Sequence, residues 1–159
     1  MPKPKSRSGP SILARNRQAA HYYHLLERFE AGIELTGTEV KTIREGKASL
    51  RESYAVIKND EAWLYNCHVT PYPAAGRFNH EALRAKKLLL HKTEIRRLFG
   101  KTREKGLTLI PTQLYLKKNF VKCEIALAKG KNVRDKRETL RRKTIDREAE
   151  QAMREHQRR

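Results

Sequence analysis

Leu107-Thr-Leu-Ile-Pro-Thr-Gln-Leu-Tyr-Leu116, Lys117-Lys118-Asn119, Phe120-Val-Lys-Cys-Glu-Ile-Ala-Leu127 is the stretch on which the fold turns. In its second run Val121, Cys123, Ile125 and Leu127 point one way and Lys122 and Glu124 the other, the period of a half-buried strand with one wet face. Lys117–Asn119 reads as the turn of a hairpin. Pro111 would remove a ladder donor, so it belongs at an edge or a bulge. Upstream, Tyr54–Lys58, the pair Asn59-Asp60 and the run Glu61–Val69 read as a second hairpin.

Two short helices fit around these strands. Gly37–Gly46 has Val40 and Ile43 at helical spacing and Gly46 as its stop, and Glu94–Gly100 reads as a helix closed by glycine. No βαβ alternation and no glycine-rich turn after a strand point to an α/β sheet. The expectation is a mainly β fold, an oligonucleotide-binding-type closed β-barrel with short flanking helices.

The ends read differently. Residues 1–15, with three prolines and four Ser or Gly, are expected to form a disordered basic arm, and residues 16–128 the barrel domain. Residues 129–159 are a basic tail whose apolar stripe (Ile145, Ala149, Ala152, Met153) is too thin to dock on its own domain. That tail is expected to be loose when free and helical against an anionic surface.

Charge names the partner class. Among 159 residues, 36 Lys plus Arg face 18 Asp plus Glu, for a net charge of +18. Residues 1–20 hold five basic groups and no acid, residues 129–159 hold 12 and 6, and the excess continues through the middle. One sign at both ends and in the centre favours nucleic acid over mere solubilisation. The longest aliphatic string, Leu88–Leu90, is far short of a bilayer span, and the basic start lacks the apolar core of a secretory signal. Cys67 and Cys123 cannot build a disulfide scaffold or a four-thiolate metal site. A soluble cytoplasmic protein with a polyanionic partner remains.

Chemistry-bearing motifs are few. His21-x-x-His24-x-x-Glu27 would align metal ligands on a helix, but its neighbours Tyr22, Tyr23, Leu25, Leu26 and Phe29 suit a strand, where positions three apart diverge. No metal or cofactor is expected. Neither a nucleophile elbow nor a phosphate-cradling loop is present, so nothing points to catalysis. Residues 86–105 carry eight basic groups against Glu94 and Glu104, with Leu88–Leu90 and His91 embedded. Alternation would bury Leu88 and Leu90 and present Leu89, which with His91 could meet exposed bases beside a phosphate-binding rim. The residues alone leave three classes open: a dedicated partner of one RNA, a general RNA-binding or ribosome-associated protein, and an RNA-processing enzyme.

From Asn16 to the C-terminus the sequence resembles the SsrA-binding protein family. The resemblance rests on Asn16-Arg17 with Ala19, His21 and Tyr23; Phe29–Gly32; Gly37–Lys41 leading to Arg44 and Gly46–Ala48; Ser53-Tyr54; Lys87–His91; Gly106–Leu109; Leu114-Tyr115; and Asp135–Glu138. It implies an oligonucleotide-binding-type barrel without enzymatic activity. It also implies binding, one protein per RNA, to the transfer-RNA-like part of transfer-messenger RNA, and delivery of that RNA to a stalled ribosome. On this basis Glu30, Leu89 and His91 match RNA-contact positions, and His21, Lys41, Arg44, Lys87 and Lys92 join them as candidates. Asp135, Lys136 and Arg137 match a tail motif for the decoding centre and messenger channel, with Lys129 and Lys131 beside it. Asn132 departs where a second lysine is usual, and Ala126 where glycine is common.

Overall fold

The computed structural model of the chain describes residues 11–104 and 106–158. Of the arm expected over residues 1–15, residues 1–10 lie outside them.

The quoted stretch forms the hairpin on which the rest is hung. Strands β8 (Leu107–Lys117) and β9 (Phe120–Gly130) pair antiparallel from Leu107↔Lys129 to Lys117↔Phe120. Lys118 and Asn119 make the turn with φ of 50° and 65°, the left-handed backbone that matches strand twist in a two-residue hairpin loop. Asn59 and Asp60 do the same, at 50° and 59°, between β4 (Tyr54–Lys58) and β5 (Glu61–Tyr65). Pro111 sits at a bulge, where the register shifts before Gln113. Asn16 binds that irregularity: its N–H donates to the Thr112 carbonyl at 2.8 Å and its side-chain amide to the Pro111 carbonyl at 3.0 Å.

β2 (Tyr23–Ile33) pairs with β9 along most of its length, and with β7 (Lys86–Leu89) at its far end. The neighbour order β8-β4-β5-β7-β2-β9, with β9 paired back to β8, closes a ring of six strands. The fold is therefore mainly β, with flanking helices. Inside lie Phe29, Ala31, Leu64, Leu88, Leu109, Leu114, Cys123 and Ile125, capped by Ile43 of α2 (Gly37–Arg44) and Leu98 of α3 (Lys92–Thr102). A two-stranded ladder of β3 (Ala48–Ser49) and β6 (His68–Val69) lies outside the ring. Both cysteines are buried, and burial pushes the Cys67 thiol up to about 11. No helix is long and apolar enough to cross a membrane among the described residues.

Several expectations are corrected. Ser11–Arg15, read as disordered, forms β1 and pairs with residues 113–116 of β8, whose outer edge beyond the bulge offers free backbone groups. The segment from His21 is not all strand: α1 (Ala19–Tyr22) precedes β2. Its Ala19 packs on Ile110 and Ala128, so the expected wet face of β9 is dry at that end. Gly100 does not stop α3, which runs two residues further. Lys86, counted with the basic surface, is fully buried against Glu39. The tail is already a helix, α4 (Val133–Gln157), in the chain by itself. Asn132 caps it by accepting from the Asp135 N–H at 2.9 Å, and helix-forming residues propagate it. Its thin stripe stays in solvent, with Ile145 63% and Met153 68% exposed.

Candidate nucleic-acid interface

Most of the candidates gather at the two ends of β2. At the far end, positions 30 and 32 share the outer face of the strand. Gly32 stands opposite Leu89, and a Cβ there would lie 3.1 Å from the Leu89 Cβ. The absent side chain lets Leu89 lie across the strand, 52% exposed. His91 is the N-cap of α3 without capping through its ring, and Lys92 is the first helical residue. Both are exposed, so Leu89, His91 and Lys92 form one edge.

Glu30 stands beside this edge and is already engaged. The Tyr115 hydroxyl donates to it at 2.5 Å, and Lys117 Nζ lies 3.2 Å from each carboxylate oxygen. The Tyr115 bond, against a smaller opposing effect of burial and with help from Lys117 and Lys122, holds the carboxyl below its usual range. Burial and the same bond push the Tyr115 hydroxyl up. Next to it Glu124 accepts from Arg28 at 2.9 Å, Thr112 at 2.9 Å and Gln113 at 3.1 Å. Tyr115, Lys117 and Lys122 were missed as members of this surface; the outward phase of Lys122 in the β9 alternation was their available signal.

The remaining candidates of this group are more scattered. Lys87 pairs with Glu61 at 3.2 Å, which occupies it within the chain. Lys41 and Arg44 end α2 on an exposed face, Lys41 Nζ lying 5.4 Å from the Tyr72 ring centroid. That helix is fixed from below. Thr36 and Glu39 form a capping box, and the buried Glu39 also accepts from Arg84 Nη2 at 2.6 Å and faces Lys86 Nζ at 3.4 Å. Burial acts to raise the Glu39 carboxyl, but the Arg84 and Thr36 hydrogen bonds and the Lys86 charge outweigh it and hold it low.

The near end of β2 carries the root of the tail, about 25 Å away at the rise of an extended strand. Lys129 is still within β9, opposite His24. The Lys131 N–H donates to the Tyr22 carbonyl at 2.9 Å, and its ammonium donates to the Ala20 carbonyl at 2.7 Å. Asp135 Oδ2 lies 3.2 Å from His24 Nε2, and Lys136 Nζ sits 5.0 Å over the Tyr22 ring. His21 is beside them, its ring edge-on to Tyr22. Arg137 points to solvent. The structure thus joins His21 to the tail group and separates it from Glu30, Leu89 and His91. No cluster of three or more His, Cys, Asp or Glu is placed to hold a metal among the described residues.

A closed strand ring with a cationic, apolar-edged surface at one end and an exposed basic helix rooted at the other defines a nucleic-acid-binding class of protein. The family model of the SmpB protein matches residues 13–155, and the chain belongs to that family. It is 59% identical over 143 residues to the SsrA-binding protein of Carboxydothermus hydrogenoformans, covering 90% of this chain and 96% of that one. It is 52% identical over 153 residues to the SsrA-binding protein of Trichodesmium erythraeum, covering 96% and 98%. A solved chain from "tmRNA-SmpB: a journey to the center of the bacterial ribosome" is similar with a TM-score of 0.64 and 44% identity, over 75% of this chain and 84% of that one.

Proposed function

We propose that this chain binds the transfer-RNA-like part of transfer-messenger RNA and delivers it to stalled ribosomes for trans-translation. The observation that carries this is the 59% identity, across nearly the full length of both chains, to a protein named for binding SsrA. The likeness to a chain from a tmRNA–SmpB ribosome study supports the second partner. In this reading the strand ring acts as an oligonucleotide-binding-type barrel over residues 16–128. Its face with Glu30, Leu89, His91 and Lys92 meets the RNA, and Lys41, Arg44 and Lys87 extend it. The tail over residues 129–159, with Lys129, Lys131, Asp135, Lys136 and Arg137, meets the decoding centre and messenger channel, and His21 goes with it. The protein works in the cytoplasm by binding rather than by catalysis, one copy per RNA.

The test is to isolate the chain from its cells and sequence the RNA that accompanies it. One dominant small RNA with a transfer-RNA-like end is expected. A broad mixture would overturn the reading in favour of a general RNA binder.

A further inference from the structure

A cleft of about 590 Å³ opens where the tail root crosses the body. Tyr22, Arg51, Glu52 and Tyr54 line it from the body, and Lys131 and Lys136 from the tail, so neither part completes it alone. Its floor is aromatic. Tyr54, 40% exposed, is backed by Tyr65 in a stacked pair with ring centroids 5.6 Å apart and planes 25° from parallel.

Its rim is built by a tight turn. The Ser53 hydroxyl donates to the Leu50 carbonyl, and Glu52 takes a left-handed φ of 61°, a conformation that a long side chain adopts only when the surroundings impose it. This turn carries Arg51 and Glu52 at the mouth of the cleft. Among the described residues no carboxylate forms an ion pair with Arg51, Lys131 or Lys136. Lys131 is held instead by the Ala20 carbonyl and the Thr139 hydroxyl, and Lys136 lies over Tyr22.

We infer that this cleft takes a single unstacked nucleotide of an RNA chain. The base continues the Tyr65–Tyr54 stack, as bases do on aromatic platforms. The phosphate meets Arg51 and the two lysines, and Glu52 accepts from an exocyclic amino group, which no cation could do. The volume suits a ligand of nucleotide size and is too large for a lone phosphate. An acidic peptide fits worse, because Glu52 would face it. The inference rests on the RNA-binding function proposed above and assigns that function a further contact, remote from the Glu30 surface.

The experiment is amide NMR of the full chain titrated with adenosine 5′-monophosphate, adenosine, inorganic phosphate and a short poly-glutamate peptide. The nucleotide should shift the amides of Arg51, Glu52, Tyr54 and Lys131, and adenosine or phosphate alone should shift them far less. Tyr54→Leu and Arg51→Ala should each weaken nucleotide binding by about tenfold, and Tyr54→Phe, which keeps the ring, should not. Amide dispersion reports whether each variant is folded. Phosphate or the peptide matching the nucleotide would overturn the inference, as would no cleft shifts at 10-fold excess over a saturating dose for any other site. A second arm measures Arg51→Ala on the transfer-RNA-like fragment and on small ribosomal subunits. A loss on either one identifies the RNA that supplies the nucleotide, and no loss on both overturns the inference. Failure of the unaltered chain to bind the fragment would instead overturn the proposed function, which the mononucleotide titration does not touch.

Discussion

Glu39→Gln probes the buried charge cluster that seats α2 on the ring. Glu39 and Lys86 are both fully buried, whereas the Arg84 side chain is 35% exposed and can be rehydrated. Removing the carboxylate charge therefore strands one ammonium, Lys86, whose remaining acceptors are the Cys67 carbonyl at 3.2 Å and the Arg84 carbonyl at 2.8 Å. Breaking one side of such a pair costs about 3–5 kcal/mol, and those two carbonyls place the expected loss near the low end, about 3 kcal/mol. For a chain of this size that lowers Tm by roughly 6–12 °C. Lys86→Met leaves Glu39 its Arg84 partner and should cost less. Adding Lys86→Met to Glu39→Gln should then recover part of the loss, because no buried charge is left alone. Urea unfolding of the four proteins gives the coupling directly. The Glu39 carboxyl is held below its ordinary value of 4.5, so its contribution is full above that pH and disappears as pH falls through the lower folded value. The acid limb of the stability curve should accordingly be flatter in Glu39→Gln. A variant within about 0.5 kcal/mol of the parent, or a strictly additive double variant, would refute the reasoning.

Glu30→Gln keeps the shape but withdraws a charged acceptor, and should weaken binding to the transfer-RNA-like fragment by about tenfold while sparing unrelated RNA; equal or tighter binding would leave Glu30 only its internal partners, Tyr115 and Lys117. Gly32→Ala pushes a methyl group to 3.1 Å from the Leu89 Cβ. It should lower stability by about 1–2 kcal/mol in urea and reduce fragment affinity through the displaced Leu89. In filter binding across a salt series, Lys92→Ala should make the log–log slope shallower by up to about one unit, and Lys87→Ala by less, since Glu61 already partners it. A chain ending at Lys131 removes α4, in which no described side chain is buried. It should fold and bind the fragment yet fail to support peptide transfer on ribosomes with truncated messages, and full rescue would exclude a tail-dependent step.

The two hairpins were legible because each carries its own evidence: a period of two in apolar residues and a polar turn between the runs, Asn59-Asp60 in one and Lys117–Asn119 in the other, of which the second proves to turn on Lys118 and Asn119. Helix α2 was legible for the same local reason, an apolar pair at helical spacing and a terminal glycine, although its Thr36 cap was not read. Features that depend on distant partners were not. Ser11–Arg15 has a composition that reads as an arm and becomes a strand only because β8 offers it an edge. Lys86 looks like any surface lysine until Glu39, 47 positions earlier, is brought beneath it. Of the candidate residues, Leu89 was legible from alternation alone. The attachment of Asp135 to the start of β2 and of Lys136 to α1 was not, because His24 and Tyr22 lie more than 100 positions away.

Net charge overstates the surface offered to RNA. Of the eight basic residues in 86–105, Lys86 faces Glu39, Lys87 faces Glu61, and Arg97 and Lys101 both bind Glu27. Arg103 lies with its guanidinium 4.6 Å from the Phe99 ring centroid. Lys92 and Arg96, which like Arg103 have no carboxylate partner among the described residues, border one small hollow at the start of α3. Counterion release counts phosphates neutralised, not lysines present, so this end of the ring should contribute a shallower salt dependence than its composition suggests. The same pairing explains how a glutamate is tolerated there. Glu30 is held as an anion by Tyr115 and Lys117, fixed in position and half in solvent, and so presents an oriented acceptor that a free surface carboxylate would not. On the proposed reading, specificity at this face would come from a few oriented groups, and the unpaired charge for long-range attraction lies more in the tail. There Arg134 reaches only a distant Glu138 at 3.9 Å, and beyond Lys136 the basic residues described in α4 are exposed.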